Sequence, residues 1–344
     1  MSPRVGWLSL ITCLVVGCTS ESPPDPRIEE GRLLYERYCA LCHGKKGEGY
    51  VADNATALGN QEFLATASDE LIRRGIARGR PGTTMSAWGK AAGGPLSDAD
   101  VDRLVAFLRA FQSKPSVDVR APVTGGEPLR GQAVYSTFCL ECHGVEGKGQ
   151  KYISIANPEL LAVASDGFVR HAIEFGRPGT PMPGFGATLT DQNLRDLTAL
   201  VRSWAKPATE PPTELPSKDL GNPVVNPTGP DAVFDAGPYA PAAKVKAELD
   251  RGARLVFLDA RAPGDYSREH ITGAVSVPFY SVTDYFSQLP RDATIISYCA
   301  CPHAESGAAA DALVKAGWTK VKVLDEGFFH WKTQGYPTKV GAKP

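Results

Sequence analysis

Methionine is the scarcest informative residue in this sequence, with three in 344 residues, at positions 1, 85 and 182. Methionine usually serves as adaptable core filler, so two internal copies are too few for that role and each calls for its own explanation. Charge of one sign is lacking as well, because 37 Lys and Arg offset 38 Asp and Glu to a formal net charge of -1. That balance excludes the basic footprint of a nucleic-acid binder, and no nucleic-acid partner is expected. Nor does any segment approach the roughly 20 consecutive apolar residues that a transmembrane helix requires. The chain is nevertheless long enough for two or three domains of ordinary size.

What is present starts with Arg4, followed by an apolar stretch from Val5 to Val16 that runs into Gly17 and Cys18. The stretch is too short to span a bilayer and has the layout of a secretory signal. Residues 1–17 resemble a bacterial lipoprotein signal peptide. The resemblance implies cleavage before Cys18, lipidation of Cys18, and an exported protein anchored by lipid to a bacterial membrane, facing the periplasm or the cell exterior. An ordinary signal peptide cut elsewhere is the alternative. Of eight cysteines, Cys13 falls inside this segment and Cys18 at its end; the other six, Cys39, Cys42, Cys139, Cys142, Cys299 and Cys301, all sit in close pairs.

Comparison of the chain with itself shows a duplication. Gly31 to Gly44, containing Tyr35, Tyr38, Cys39, Cys42 and His43, matches Gly131 to Gly144, containing Tyr135, Phe138, Cys139, Cys142 and His143. Further on, Asn60 to Asp69 matches Asn157 to Asp166, and Arg80-Pro-Gly-Thr-Thr-Met85 matches Arg177-Pro-Gly-Thr-Pro-Met182. Each copy closes with a segment that begins Ser97-Asp98 or Thr190-Asp191 and carries apolar residues at helical spacing. A Ser or Thr cap followed by acidic residues marks a helix start. Residues 27–113 and 127–205 are therefore expected to be two copies of one small, mostly helical domain. A proline-rich segment, 206–238, follows and reads as an extended linker, and a third domain is expected over 239–344.

Cys39-Ala-Leu-Cys42-His43 and Cys139-Leu-Glu-Cys142-His143 are C-x-x-C-H attachment motifs for c-type haem. Two thiols on one helical turn reach the two vinyl groups of a haem, and the adjacent histidine ligates its iron. A redox-active dithiol, or one zinc site sharing all four thiolates, are the competing readings. The independent test is the opposite iron face, where methionine is the usual second ligand in electron-transferring cytochromes. Met85 and Met182 fall at equivalent places in the two repeats, each in a Gly/Pro loop, so axial pairs His43 with Met85 and His143 with Met182 are expected.

This pattern resembles the class I cytochrome c family over both repeats. The resemblance implies two covalently bound haems c and about three helices per domain. It also implies a crossing of first and last helices that would use Gly31, Tyr35, Tyr38 and Phe107, with counterparts Gly131, Tyr135, Phe138 and Trp204. Arg80 and Arg177 are candidate partners of haem propionates. His171 competes as an axial ligand, but its counterpart is Arg74, which favours a solvated helix position. With His and Met on both sides, neither iron offers an open site, which favours electron transfer over oxygen chemistry or ligand sensing.

In the third domain, apolar strands at Arg254 to Asp259, Thr294 to Tyr298 and Val321 to Leu324, with a helix from Ser306 to Gly317 between the last two, imply a parallel sheet. The site is expected in the loop Tyr298-Cys299-Ala-Cys301-Pro-His303-Ala-Glu305-Ser306, where a thiol faces the positive end of a helix. Leu258-Asp-Ala-Arg261, Tyr266 to Pro278 with His270 and Gly273, Tyr298-Cys299, and Leu324 to Trp331 resemble the rhodanese family. That family carries a persulfide on the cysteine after the strand, which here is Cys299. Six residues rather than five separate Cys299 from Ser306, and Glu305 stands where positive charge is expected, opposing thiolate formation. Cys301 is a second candidate thiol and His303 a candidate cation. His270 and His330 read as structural.

The expected protein is thus multidomain, with two all-α cytochrome c domains followed by an α/β rhodanese-like domain with a parallel sheet. It would transfer electrons to redox partner proteins of a respiratory chain and bind or transfer sulfane sulfur from a small sulfur compound, with thiosulfate sulfurtransferase activity left open. The alternative is a pure electron shuttle whose rhodanese-like domain is a non-catalytic docking module.

Overall fold

A computed structural model describes residues 25–52, 54–300 and 303–344. The signal-like segment with Cys13 and Cys18, and the candidate thiol Cys301, lie outside the described residues. Among the described residues no helix is long and apolar enough to cross a membrane.

The first repeat consists of α1 (Pro26–Tyr38), α2 (Ala40–His43), α3 (Gln61–Thr66), α4 (Asp69–Arg78) and α5 (Asp98–Ala110). The second consists of α6 (Pro128–Phe138), α7 (Leu140–His143), α8 (Pro158–Leu161), α9 (Asp166–Phe175) and α10 (Asp191–Ser203). The closing helices begin with reciprocal capping boxes, Ser97 with Asp100 and Thr190 with Asn193, so backbone donors that the first turn leaves unsatisfied find side-chain acceptors. First and last helices of each repeat cross at a glycine. A Cβ on Gly31 would lie 2.1 Å from the Arg103 carbonyl oxygen, and one on Gly131 would lie 2.4 Å from that of Asp196. Only a residue without a side chain lets the backbones approach this closely.

The aromatic partners differ from expectation. Tyr35 packs on Phe107 and Phe111, and Tyr135 on Trp204. Leu200, beside Gly131, is the counterpart of Phe107, and Trp204 that of Phe111. Tyr38 and Phe138 lie away from the crossing, because the helix turns them outward: Tyr38 meets Trp88 and Tyr280, and Phe138 meets Phe185.

The two repeats pack through reciprocal contacts. Asn60 donates to the Pro178 carbonyl at 2.9 Å and its counterpart Asn157 to that of Pro81 at 3.1 Å. Arg74 pairs with the fully buried Glu159 at 2.9 Å, joined by Arg78. The equivalent pair is His171 Nε2 with Glu62 Oε2 at 2.8 Å. His171 is therefore not a solvated helix residue: its side chain is 11% exposed and held by a carboxylate of the other repeat. Equivalent residues contacting each other both ways is the signature of a two-fold-like, self-complementary interface.

The third domain comprises β1 (Tyr239–Ala240), α11 (Ala242–Asp250), β2 (Leu255–Asp259), α12 (Pro263–Arg268), β3 (His270–Ile271), β4 (Val275–Ser276), β5 (Thr294–Tyr298), α13 (Ala304–Lys315), β6 (Val321–Leu324), α14 (Gly327–Thr333) and β7 (Thr338–Lys339). Five strands form a parallel sheet in the order β1-β6-β5-β2-β4. β2 and β5 are buried along their whole length, which explains their continuous apolar runs. The proline-rich linker is irregular, as its composition requires, yet its end is not a free spacer. Leu220 is buried in the sheet domain's core, and Val225 exchanges two backbone hydrogen bonds with Leu255.

Gly31→Ala is expected to destabilise the first repeat by about 2 kcal/mol in urea unfolding, because overpacking at the crossing outweighs the ~1 kcal/mol helix-propensity gain. Glu62 is held below its ordinary carboxyl value by hydrogen bonds from Lys114 and then His171. Its stabilising effect is complete above the unfolded value of 4.5 and is lost as pH falls through the lower folded value. An acid-unfolding series should show Glu62→Gln with a shallower decline below pH 4.5 than the native chain.

Candidate functional site

Each C-x-x-C-H motif occupies a helix end, one short turn and a glycine. Cys39 caps α1 and Cys139 caps α6; the turns α2 and α7 end on His43 and His143. Gly44 and Gly144 follow with φ of 79° and 72°, a conformation that suits glycine and lets the chain leave the turn abruptly. The buried Tyr35 hydroxyl donates to the Gly44 carbonyl at 2.8 Å and Tyr135 to that of Gly144 at 2.7 Å. The helix crossing and the motif turn are thereby tied by one side chain in each repeat.

Both histidines are buried, and each is oriented through Nδ1, by the Thr56 carbonyl at 2.8 Å and the Ile153 carbonyl at 3.0 Å. A neutral imidazole donating from Nδ1 keeps its Nε2 lone pair for a metal, the usual outer arrangement of a ligating histidine. Burial holds both rings below the ordinary histidine pKa, which also favours the neutral form. Met85 and Met182 sit in matching loops: Arg80 N–H donates to the Met85 carbonyl and Arg177 N–H to that of Met182. Thr83 and Thr180 hydroxyls receive the methionine N–H groups at 3.2 Å.

The competing readings fit poorly. Burial pushes the Cys39 thiol up to about 12 and the Cys139 thiol to about 11, opposite to the depressed value of a redox-active dithiol. Among the described residues no three His, Cys, Asp or Glu side chains converge as a metal cluster, so the four thiols do not form a shared zinc site. Arg80 and Arg177 are partly buried, with pKa values drawn down to about 10 by desolvation and no carboxylate bonded to either among the described residues. A half-buried guanidinium that feels Glu159 or Glu62 without bonding to it suits an anionic group such as a haem propionate. The donor sets and these cations fit one haem in each repeat.

Cys299 follows β5 and is fully buried, its Sγ 3.2 Å from the Ser306 hydroxyl in the first turn of α13. The six-residue spacing therefore still brings Ser306 back onto the thiol. His303 precedes α13 in a left-handed conformation, φ 71°. It does not act as an unpaired cation: its Nε2 meets Asp325 at 2.7 Å and its ring stacks on Tyr239 at 4.0 Å. Glu305 also departs from expectation. It is 5% exposed, and burial, with the Cys299 thiol and Asp265 nearby, pushes its carboxyl well above the usual range. A carboxyl shifted in that direction carries less negative charge and opposes a thiolate less than an ordinary one would. Arg261 is locked to Asp259 through two bonds of 2.9 and 2.6 Å, and Tyr298 donates to the same carboxylate. His270 stacks on Tyr266 at 3.8 Å in the core, a structural place.

Sequence reasoning missed the covering of this loop. The α13 helix packs on α2, the first haem-motif turn. Tyr280 packs on Tyr38 and Trp88, and Phe279 on Trp88. Arg37 donates to the Tyr280 carbonyl at 3.2 Å. The signal available was the outward aromatic Tyr38 beside Cys39.

A family model described as cytochrome c oxidase, cbb3-type, subunit III matches residues 26–108 and 126–201, and a rhodanese-like domain model matches 241–334. Over 193 residues the chain is 28% identical to the cbb3-type cytochrome c oxidase subunit CcoP of Azospirillum sp. (strain B510), a match covering 50% of this chain and 60% of that protein. The chain therefore spans about 60% of the length of that relative. Its C-terminal part is 35% identical over 103 residues to the thiosulfate sulfurtransferase GlpE of Pseudomonas fluorescens (strain SBW25), covering 30% of this chain and 90% of that protein. A solved chain of the Kuenenia stuttgartiensis reducing HAO-like protein complex is 28% identical, with 52% of this chain and 96% of that chain covered at a TM-score of 0.36.

Tyr35→Phe removes the buried hydroxyl donor to Gly44, and Tyr135→Phe that to Gly144. Each should cost about 1 kcal/mol by urea unfolding, the loss being assigned to its own repeat by hydrogen exchange at the motif turn.

Proposed function

From a chain that belongs to the rhodanese-like family through its C-terminal domain and carries two cytochrome c domains ahead of it, we propose a dihaem electron carrier whose third domain takes up and passes on sulfane sulfur. The working context is exported bacterial sulfur metabolism or respiration. The observation that carries the electron-transfer half is the twofold occurrence of one donor set. In each repeat a buried histidine held through Nδ1 and a looped methionine accompany two thiols on one turn. Cys39 and Cys42, with His43 and Met85, would hold one haem; Cys139 and Cys142, with His143 and Met182, the other.

When bound, a haem supplies one-electron oxidation and reduction at nearly fixed geometry. The chain's own residues do the rest. The Thr56 and Ile153 carbonyls fix the imidazole planes, Arg80 and Arg177 offer charge to the anionic edge, and the buried core around Tyr35 and Tyr135 keeps water from the site. His43 with Met85 and His143 with Met182 would each hold a haem whose potential the methionine would raise, which suits transfer between respiratory redox partners. The reciprocal interface brings the Arg80–Met85 loop of one repeat and the Arg177–Met182 loop of the other against each other's helix caps, an arrangement suited to passing electrons between the repeats.

For the sulfur half, Cys299 is the nucleophile, with Ser306 bonded to its Sγ and α13 presenting its positive end. Lipidation at Cys18 would hold the protein at a bacterial membrane with the rest exported.

Intact-protein mass spectrometry of material from its native membrane should find two haem masses, an acyl group at Cys18, and one sulfur atom gained at Cys299 after exposure to a sulfane-sulfur donor. Cys299→Ser should lose the sulfur gain and keep both haems. Met182→Ala should lower one of the two reduction potentials in a spectroelectrochemical titration and leave the other in place. Absence of haem at either motif would refute the electron-carrier reading.

A further inference from the structure

The outward aromatic pair of the first repeat has a copy in the second. Tyr38 packs on Trp88 with ring centroids 5.6 Å apart, and Phe138 on Phe185 at 5.9 Å. The positions are equivalent, for the Trp88 N–H donates to the Ile76 carbonyl and the Phe185 N–H to that of Ile173. Each pair borders its donor set, Phe138 standing directly before Cys139 and Phe185 three residues after Met182. The surroundings differ. Phe279 and Tyr280 of the third domain pack on the first pair, where Trp88 is 5% exposed and its neighbours Ser86 and Ala87 3%. The counterparts Pro183 and Gly184 are exposed, Phe185 is half-buried, and Phe138 is 41% exposed. Among the described residues, no ring of another domain packs on Phe138 or Phe185.

The first face is built to keep the third domain, and the second is not. Arg37 donates to the Tyr280 carbonyl at 3.2 Å, and Ser86 bonds Asp265; Thr137 and Pro183 stand in their places in the second repeat. The turn Lys90–Ala92 brings backbone against backbone, since a Cβ on Gly264 would lie 1.9 Å from the Ala92 carbonyl oxygen. The second repeat lacks that turn, its segment from Gly186 to Thr190 being shorter than the one from Gly89 to Ser97. Charge is missing as well. Residues 131–140 and 178–190 contain no Asp, Glu, Lys, Arg or His, whereas Arg32, Glu36, Arg37 and Lys90 occupy the matching stretches of the first repeat. What remains is an exposed aromatic pair in uncharged surroundings, with Glu141 the nearest charge to Phe138 along the chain.

Exposed aromatic side chains without charge have the composition of an interface core. Resting on the electron-carrier reading, we propose that the Phe138–Phe185 face docks a separate redox protein whose own surface is aromatic and uncharged, so that exchange with other proteins runs through the second repeat. The first repeat's copy of this face is closed to such a partner by Phe279 and Tyr280. Those two rings also show the chemistry that fits, meeting Trp88 and Tyr38 edge to face at 6.1 and 5.5 Å. A second copy of this chain offers no free equivalent, because its Phe279 and Tyr280 are engaged in its own seam. One electron crosses per encounter, the partner's centre being reduced as the second repeat is oxidised, or the reverse, and no bond is made or broken. Without the ties of Arg37, Ser86 and the Lys90–Ala92 turn, the contact is small and short-lived, as electron-transfer encounters are. Lacking charge, it is also insensitive to salt, since screening acts on charges.

The test adsorbs the full-length haem-loaded protein on gold electrodes bearing phenyl-terminated or carboxylate-terminated alkanethiol monolayers, the phenyl layer standing in for the partner's surface. Voltammetry reads the electroactive coverage and the electron-exchange rate. On the phenyl layer the native rate should change less than about twofold between about 20 and 500 mM salt. Phe138→Ser, with native circular dichroism and haem spectrum, should slow exchange on the phenyl layer at least about tenfold, as loss of an aromatic anchor does. Both potentials in a solution titration should stay where they are. Leu129→Ser, at the other end of α6 and 88% exposed, should behave as the native protein. A native rate in Phe138→Ser would overturn the proposal, as would equal slowing in Leu129→Ser, or a rate on the phenyl layer that collapses with salt. So would a dimer in sedimentation equilibrium that Phe138→Ser dissolves, which would assign the face to a second copy. Failure to find two haem potentials in solution would overturn the electron-carrier reading beneath it, a result separate from any rate at the electrode.

Discussion

The closeness of the helix crossing at Gly31 and Gly131 governs the rest of each cytochrome domain. Because no side chain intervenes, α1 lies against α5 and α6 against α10, and Tyr35 and Tyr135 are carried into the core. From there their hydroxyls reach the glycine carbonyl that ends the motif turn. That single reach orients the turn holding two thiols and a histidine. The His43 and His143 rings then find loop carbonyls at their Nδ1 atoms. A side chain at either glycine would push the helices apart and loosen each of these links in order.

Two further layers of organisation build on that unit. The repeats meet through equivalent residues, Arg74 with Glu159 and His171 with Glu62, so one duplicated surface serves as both halves of an interface. Glu159 is fully buried and retains one oxygen without a hydrogen bond. A buried carboxylate of this kind adds little net stability and contributes mainly to which arrangement is formed. The third domain meets the first cytochrome domain through the aromatic seam of Tyr38, Trp88, Phe279 and Tyr280. That contact accompanies the packing of α13, the helix after the Cys299 loop, on α2, the first C-x-x-C-H turn.

Much of the fold was legible because its signals are local. The capping residues Ser97 and Thr190 and the buried apolar runs of β2 and β5 act on neighbours a few residues away, so composition and spacing expose them, whereas the glycines of the crossing were implied by the family resemblance. The candidate haem donors were legible for a similar reason: duplication compares each with its own copy. Where reading failed, the cause was distance along the chain. His171 looked solvated because its partner, Glu62, lies 109 residues before it. Tyr38 was assigned to a crossing within its own domain although its ring faces Tyr280. Glu305 was read as an acid opposing the thiolate, and nothing local reveals that it is buried.

The sequence by itself determined the parts: two copies of a haem-motif helix, a methionine loop in each, and a parallel sheet with a thiol at a strand end. Each is encoded by short-range spacing, and short-range spacing survives in any arrangement of the domains. Only the tertiary structure decided how those parts face one another. It set which acids pair with which cations, which carboxyl is kept from water, and which cytochrome domain borders the Cys299 loop. Charge state and access depend on burial, and burial depends on surfaces brought together from distant parts of the chain.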